Sequence, residues 1–289
     1  MKLSGEVLAI LSAISIGIAV PLGAQASKEI GALQMAAYSG IVSLALLWLL
    51  TLFTKDKIEA KKYLKKYPKE AFLSIATRAV IGSILYFYGV TLTTAMNSGF
   101  MMRLEPIFVI ALGYLFLKER ISKKQMFIVM VMLFGAFLYS TGGDLTSIGS
   151  NQIGDLLIVL SVLFFACSYI PLKKIGIEIN SITITAVNNF IGSIIFLVIA
   201  ILLSFDMFTV NLSNAWMMVG YVITLSVIGL CLYFASLRKT KAWIVSSLLS
   251  ISSVVGAILS YLWLGETLGP AQWVGGAIIL LASYFIAKK

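Results

Sequence analysis

Residues 97–124 read NSGFMMRLEPIFVIALGYLFLKERISKK. The apolar part, residues 97–117, is long enough to cross a bilayer as a helix, yet it contains Arg103, Glu105 and Pro106. Ionisable side chains at membrane depth cost about 3 kcal/mol each on insertion scales, and they usually mark a cavity or an ion path. Pro106 has no N–H, so it predicts a kink or hinge beside the two charges. We therefore place the functional centre in this segment.

The composition is that of a polytopic membrane protein. Of the 289 residues, 60% are hydrophobic and only 12% are charged, about half the charged fraction of a soluble domain. The net charge of +10 does not predict nucleic-acid binding, because the basic residues lie in short loops, where they set topology. Two cysteines and no histidine exclude a disulfide framework, a zinc motif and a histidine proton relay. We expect no metal and no cofactor.

Ten apolar stretches are predicted as membrane-spanning helices. Between them lie short connectors, and the longest is residues 54–70, which contain seven lysines. We expect this loop to lie on anionic lipid headgroups, and a regulatory lipid sensor is the less favoured alternative. The spans cover residues 5–26, 32–53, 71–92, 97–117, 123–141, 152–172, 182–204, 214–237, 241–263 and 270–287.

The first span has a second interpretation as a signal peptide, because Ala24, Gln25 and Ala26 resemble a cleavage site. The preceding segment carries a lysine that Glu6 offsets, and removal of the span would break the repeat described below. We expect the span to be retained.

The distribution of Lys and Arg predicts the orientation. If the N-terminus is cytoplasmic, nineteen of the 22 basic residues fall on the cytoplasmic side and only Lys28 falls on the other. Arg78 and Arg103 lie within spans. So uneven a distribution follows the positive-inside rule, and it predicts that both termini are cytoplasmic.

An internal repeat divides the chain into residues 1–145 and 146–289, with five spans each. An odd number of spans means that the second copy enters the membrane from the opposite side, as in the inverted repeats of secondary transporters. Chance similarity between apolar helices is the alternative. With a shift of 147 residues, the clearest matches place Tyr86-Phe87 on Tyr233-Phe234, Glu119 on Glu266 and Gln125 on Gln272.

With these features, the sequence resembles the drug/metabolite transporter superfamily in its EamA branch. The resemblance covers nearly the whole chain and includes the proline-bearing fourth helix, which ends in the acidic turn Leu117-Lys118-Glu119. In the second half, Ser252-Ser253 stands where the first half has Glu105-Pro106. The resemblance implies alternating access and movement of a metabolite across the plasma membrane, usually export.

The buried charges are the first candidates for substrate binding or coupling. We expect Arg103 and Arg78 to bind a carboxylate or phosphate of the substrate, and Glu105 to bind a coupling proton or a cationic group. A structural salt bridge is the alternative for Arg103 and Glu105. Snorkelling to the membrane surface is the alternative for Arg78.

Other polar and aromatic residues are weaker candidates. The serines of the ninth span can line a cavity or allow close helix packing, and the paired asparagines can line water or bond neighbouring helices. Tyr86 and Tyr88 are expected to lie deeper than Trp243 and Trp263, which are expected to be interface anchors. The candidates are Gln25, Asn97, Asn188, Asn189, Ser246, Ser250, Ser253, Ser260, Tyr86, Tyr88 and Tyr169.

The sequence therefore predicts a secondary-active transporter that exports a small metabolite, such as an amino acid, as a monomer or homodimer. A small-molecule channel and a non-transporting scaffold are the alternatives. An intramembrane hydrolase is not expected, because the spans contain no histidine and no aspartate pair.

Overall fold

A computed structural model describes residues 3–30, 32–54, 56–93, 101–143, 152–202, 215–265 and 267–288. Every regular element in these ranges is helical. Two of the elements are π-helical segments, Ile75–Gly82 and Ile223–Leu230. The α-helices are α1 (Gly5–Ile30), α2 (Ala32–Phe53), α3 (Ala60–Lys66), α4 (Pro68–Ser74), α5 (Ser83–Leu92), α6 (Glu105–Leu117), α7 (Lys123–Thr141), α8 (Gln152–Ile175), α9 (Ser181–Leu202), α10 (Ala215–Val222), α11 (Cys231–Leu237), α12 (Ala242–Leu249), α13 (Ile251–Leu264) and α14 (Pro270–Ala287).

Eight helices of the described part are long and apolar enough to cross a membrane, which confirms the prediction of a helical membrane protein. The third predicted span is divided into α4, the first π-helical segment and α5. Of the fourth predicted span, only residues 101–117 are described, and α6 accounts for 13 of them. The total of ten spans stays a prediction. Residues 54–70 include α3 and the first turn of α4.

Helix starts in the two halves share one capping hydrogen bond, from the N-cap N–H to a glutamine side chain. At the start of α7, Ser122 Oγ accepts from the Gln125 N–H at 3.2 Å, and Gln125 Oε1 accepts from the Ser122 N–H at 3.0 Å. At the start of α14, Gln272 Oε1 accepts from the Gly269 N–H at 2.8 Å. These bonds, reciprocal only at Ser122 because Gly269 has no side chain, satisfy backbone donors that a helix start otherwise leaves unpaired. The two starts are 147 residues apart.

Helix interruptions also recur at this spacing. The two π-helical segments begin 148 residues apart, at Ile75 and Ile223. Both α6 and α13 end at a residue with left-handed backbone, Lys118 (φ 54°) and Gly265 (φ 68°). Pi-helical turns inside α-helices occur frequently at functional sites.

The packing of the helices also follows the two halves. The first helix, α1, packs against α10, the second π-helical segment, α11 and α13. Its counterpart α8 packs against α4, the first π-helical segment, α5 and α6. The remaining close pairs are α2 with α9 and α7 with α14. At the α7–α14 crossing, a Cβ on Gly275 would lie 2.4 Å from the Tyr139 nitrogen, so only glycine allows this approach.

The basic loops meet at one end of the bundle, which we call the basic end. There, Lys239 Nζ donates to the Leu3 carbonyl at 2.9 Å, and Asn180 Nδ2 donates to the Lys57 carbonyl at 2.9 Å. The opposite end, which we call the far end, contains the end of α7 and the start of α14, where Gly142 and Gln272 lie side by side.

Candidate functional site

A cavity of about 560 Å³ lies at the far end, between the two halves of the chain. Its walls come from α1, α13, the end of α7, the start of α14 and the turn that precedes α6. Thirteen residues of α6, with a rise of about 1.5 Å each, place this turn about 20 Å from the basic end. The cavity therefore reaches from the far end well into a hydrocarbon layer about 30 Å thick.

Arg103 lines this cavity from the turn that precedes α6. In that turn the Leu104 N–H donates to the Met101 carbonyl at 3.0 Å, and α6 then starts at Glu105 with Pro106 in its first turn. Proline is favoured there, since the first helical N–H groups have no partner within the helix. In the described residues, the helical backbone is thus interrupted just before Pro106. The turn at this interruption places Arg103 at the cavity.

Two further residues contribute polar groups to the cavity wall. The Tyr139 hydroxyl donates to the Ser253 carbonyl at 3.3 Å and bridges α7 and α13. Both residues line the cavity, as does Ser260. Arg103 interacts electrostatically with Tyr139, Tyr86 and Glu105. The cavity thus combines a guanidinium, hydroxyls and backbone carbonyls at membrane depth.

Arg78 lies deeper, in the first π-helical segment, and points into the protein. Its Cζ atom is 5.1 Å from the ring centroid of Tyr233 and 5.6 Å from that of Phe165. A desolvated cation–π contact stabilises by about 2 kcal/mol. Because the guanidinium lies between these two rings, the snorkelling alternative for Arg78 is wrong.

A buried polar cluster surrounds Arg78. No hydrogen bond of standard geometry reaches Arg78 Nη1 or the hydroxyls of Tyr169 and Tyr233, whose rings contact each other edge to face at 5.5 Å. Glu105 interacts electrostatically with Arg78 and Arg103 and through its side chain with the Tyr169 hydroxyl, but none of the salt bridges in the described residues joins it to either arginine. A buried unpaired donor costs about 1–3 kcal/mol. Two arginines beside one carboxylate leave this cluster with a surplus of positive charge.

Trp243 corrects one prediction. Its side chain is only 1% exposed in the core, so the expectation of an interface anchor is wrong. Its Nε1 atom is buried and has no hydrogen-bond partner. Trp263, by contrast, is 64% exposed, as expected of a lipid-facing anchor. The sequence did not predict that Phe165 and Trp243 lie in the interior. A helix that is apolar on every side gives no sign of which face turns inward.

The two asparagines form hydrogen bonds between helices. Asn188 Oδ1 accepts from the Tyr63 hydroxyl at 3.0 Å. Asn189 Nδ2 donates to Ser43 Oγ at 3.2 Å and to Ser226 Oγ at 3.1 Å. Both asparagines line a second, smaller cavity of about 150 Å³ between α2, α9 and the two π-helical segments. The two predicted alternatives, helix bonding and cavity lining, therefore occur together.

The remaining candidates do not gather at the cavity. The Ser246 and Ser250 side chains are 2% and 4% exposed, and the Ser246 hydroxyl donates to the Trp243 carbonyl of its own helix at 3.0 Å. Tyr88 was expected to lie deep in the bundle. It is instead 63% exposed and does not line the cavity, so this expectation is wrong. Asn97 lies outside the described residues. No group of three or more Cys, Asp or Glu in the described ranges could hold a metal ion.

Glu119, which the sequence singled out as a repeat marker and as part of the acidic turn, joins three helices at the basic end. Its carboxylate accepts from the Ala242 N–H, at 3.1 Å and 3.0 Å for the two oxygens, and from Lys173 Nζ. Lys173 Nζ also donates to the Thr240 carbonyl at 3.0 Å. The Glu119 side chain is 7% exposed. These contacts, which we call the Glu119 latch, join the ends of α6 and α8 to the start of α12.

Comparisons with known proteins agree with this architecture. An uncharacterized transporter of Methanothermobacter thermautotrophicus is 27% identical over 220 residues, which cover 74% of this chain and 62% of that protein. The uncharacterized transporter YetK of Bacillus subtilis is 24% identical over 71% of this chain and 63% of its own length. The chain thus matches less than two thirds of these two relatives. The pseudopaline exporter CntI of Pseudomonas aeruginosa is 20% identical, over 99% of this chain and 96% of its own.

A crystal structure superposes with a TM-score of 0.81 at 12% identity, over 96% of this chain and 94% of the other, which shows a shared fold. The model of the EamA-like transporter family matches residues 3–141 and 152–288. These two matches span most of the chain, and they confirm the resemblance seen in the sequence. The protein belongs to the EamA-like transporter family.

Proposed function

We propose that this protein is a secondary-active transporter that exports a small metabolite across the plasma membrane by alternating access. The observation that carries the proposal is the cavity between the two halves, which reaches Arg103 from the far end. The contacts of the Glu119 latch would close the basic end in this state. A carrier needs a site that is open to one side at a time.

The two halves, residues 1–145 and 146–289, would be inverted repeats that rock against each other. Three observations support this arrangement. The family model matches the chain twice, the π-helical segments and helix caps recur 147–148 residues apart, and the contacts of α1 with the second half mirror those of α8 with the first.

The basic end would face the cytoplasm, together with both termini. The positive-inside rule favours this orientation, and the described basic loops gather at that end. The cavity would then be open to the outside, as expected of an exporter that has just released its substrate.

The substrate would be an amino acid or a related compound with an anionic group. Arg103 would meet this group in the cavity, and Arg78 would hold it deeper in the protein, where two arginines lie near a single carboxylate. Glu105 would bind a cationic group of the substrate or a coupling proton. The name of the relative from Pseudomonas aeruginosa, an exporter of the metabolite pseudopaline, supports small-metabolite export.

The test has two stages. A thermal-shift screen of the purified protein against amino acids and related metabolites identifies a ligand, since a ligand present at 100 times its Kd stabilises the native state by about 2.7 kcal/mol. Flux of that ligand into proteoliposomes is then compared for wild type, Arg103→Ala and Glu105→Gln. Arg120→Ala, which removes an exposed arginine, is the matched control. Undiminished flux in both site variants would refute the site.

A further inference from the structure

The short helix α3 presents a concave, positively charged surface at the basic end. The concavity measures about 540 Å³. Two lysines of this surface, Lys62 and Lys66, form ion pairs with acidic side chains. Lys61 and Lys65 take part in none of the salt bridges of the described residues, so they leave a surplus of positive charge. The lining residues are Glu59, Lys61, Lys62, Lys65 and Lys66.

Exposed apolar side chains flank this surface. Phe53, at the end of α2, is 81% exposed, Phe72 of α4 is 70% exposed, and Leu64 of α3 itself is 40% exposed. Apolar side chains of this size beside lysines are typical of the boundary between acyl chains and headgroups. This arrangement would place the lysines of α3 at the depth of phospholipid phosphates.

A buried tyrosine anchors α3 to the bundle. The Tyr63 side chain is fully buried, and its hydroxyl donates to Asn188 Oδ1 at 3.0 Å and lies 3.1 Å from Ser74 Oγ. Burial raises the pKa of Tyr63 to about 12, so its hydroxyl keeps its proton at physiological pH. The backbone before α3 is held as well, since the Glu59 N–H donates to Thr183 Oγ1 at 3.0 Å.

This anchor connects the lysine surface with the buried cluster. Ser74 is the last residue of α4, directly before the π-helical segment that carries Arg78. We propose that the concave surface of α3 binds the headgroup of an anionic phospholipid, and that Tyr63 transmits this binding to the helix that carries Arg78. The proposal does not depend on which substrate the protein moves, or on whether it moves one.

Titration of the purified protein with phosphatidylglycerol tests the binding, with the bound lipid counted by native mass spectrometry. A lysine near an anionic headgroup contributes about fivefold in affinity, so the double variant Lys61→Gln, Lys65→Gln should bind phosphatidylglycerol about 30-fold more weakly. The control, Lys123→Gln with Lys124→Gln, removes the same charge from exposed positions elsewhere at the basic end and should bind as wild type does. Equal affinity in both double variants would overturn the site.

Two further ligands distinguish the source of the phosphate. Phosphatidylcholine should not compete with phosphatidylglycerol. Glycerol 3-phosphate, which has the phosphate but no acyl chains, should not compete at the same concentration, because it cannot use the apolar surface beside Phe53 and Phe72. Competition by glycerol 3-phosphate as strong as that of the lipid would assign the surface to a soluble anion and overturn the proposal.

Hydrogen exchange tests the transmission. In wild type, phosphatidylglycerol should slow amide exchange in α3 and also in residues 75–82. Tyr63→Phe removes the donor to Asn188 but keeps the ring and all lysines, so lipid should still protect α3 and no longer protect residues 75–82. Unchanged protection of residues 75–82 in Tyr63→Phe would refute transmission through Tyr63.

Discussion

Substitution of Glu119 is the most informative perturbation of the basic end, which we propose to be closed in this state. In Glu119→Gln, the side-chain amide oxygen can still accept from the Ala242 N–H, but the ion pair with Lys173 is lost. We expect the basic end to open more often, because the Glu119 latch joins α6 and α8 to α12 and the substitution weakens that connection.

The magnitude follows from burial and bonding. Removal of one partner from a fully buried ion pair costs about 3–5 kcal/mol. The side chain of Lys173 is 26% exposed, so water can solvate part of its charge after the substitution. The loss should therefore be near that of a single hydrogen bond to a charged group, about 2 kcal/mol. If this loss destabilises only the closed state, the fraction of molecules with an open basic end rises about 30-fold.

A buried thiol reports the opening. Ser236 is fully buried near the latch, and its hydroxyl bonds only within its own helix, to the Tyr233 carbonyl at 2.7 Å. Ser236→Cys, in a background of Cys167→Ala and Cys231→Ala, should react slowly with a bulky maleimide. Adding Glu119→Gln should raise the rate by about 10- to 30-fold, the population shift expected from about 2 kcal/mol.

Two further variants make the result decisive. Lys173→Met removes the other partner of the ion pair and should raise the labelling rate as well. Lys174→Gln changes a neighbouring exposed lysine and should leave the rate as it is. If Glu119→Gln and Lys173→Met fold, as judged by thermal unfolding, and label no faster than the parent protein, the latch does not hold the basic end closed.

Two other predictions concern stability. Gly275→Ala places a methyl group 2.4 Å from the Tyr139 nitrogen, and such overpacking should lower the free energy of unfolding by about 1–3 kcal/mol, as measured by thermal unfolding. The control Gly220→Ala, whose Cβ would lie 3.5 Å from its nearest neighbour, should be nearly neutral. Equal effects of the two substitutions would contradict the geometry of the α7–α14 crossing. The hydrogen bond from Lys66 holds the pKa of Glu178 below its usual range. The stability that this pair contributes is fully present above the usual pKa of a glutamate, and it is lost as pH falls through the lowered pKa of Glu178. Glu178→Gln should therefore flatten the acid limb of a plot of Tm against pH. The change should be small, because both groups are exposed.

The sequence predicted the site in part. It identified Arg103 and Glu105 because charges within an apolar span stand out in any hydropathy profile. It could not place Trp243 or Tyr88, because helices that are apolar on every side carry no periodic signal of their inward face. The Glu119 latch also escaped prediction, although its signal was present, since Glu119 and its repeat counterpart Glu266 follow the ends of the fourth and ninth spans.

The sequence by itself determined the membrane class, because hydropathy is a local property of the chain, and its motifs resembled the family that the family model then confirmed. The tertiary structure decided which side chains meet. It brought Lys173 to Glu119 across 54 residues, placed Arg78 over the ring of Tyr233, and left the cavity open at the far end. These contacts depend on the rotation of each helix about its own axis and on the relative orientation of the two halves. Rotation and orientation are fixed only when all the helices pack together.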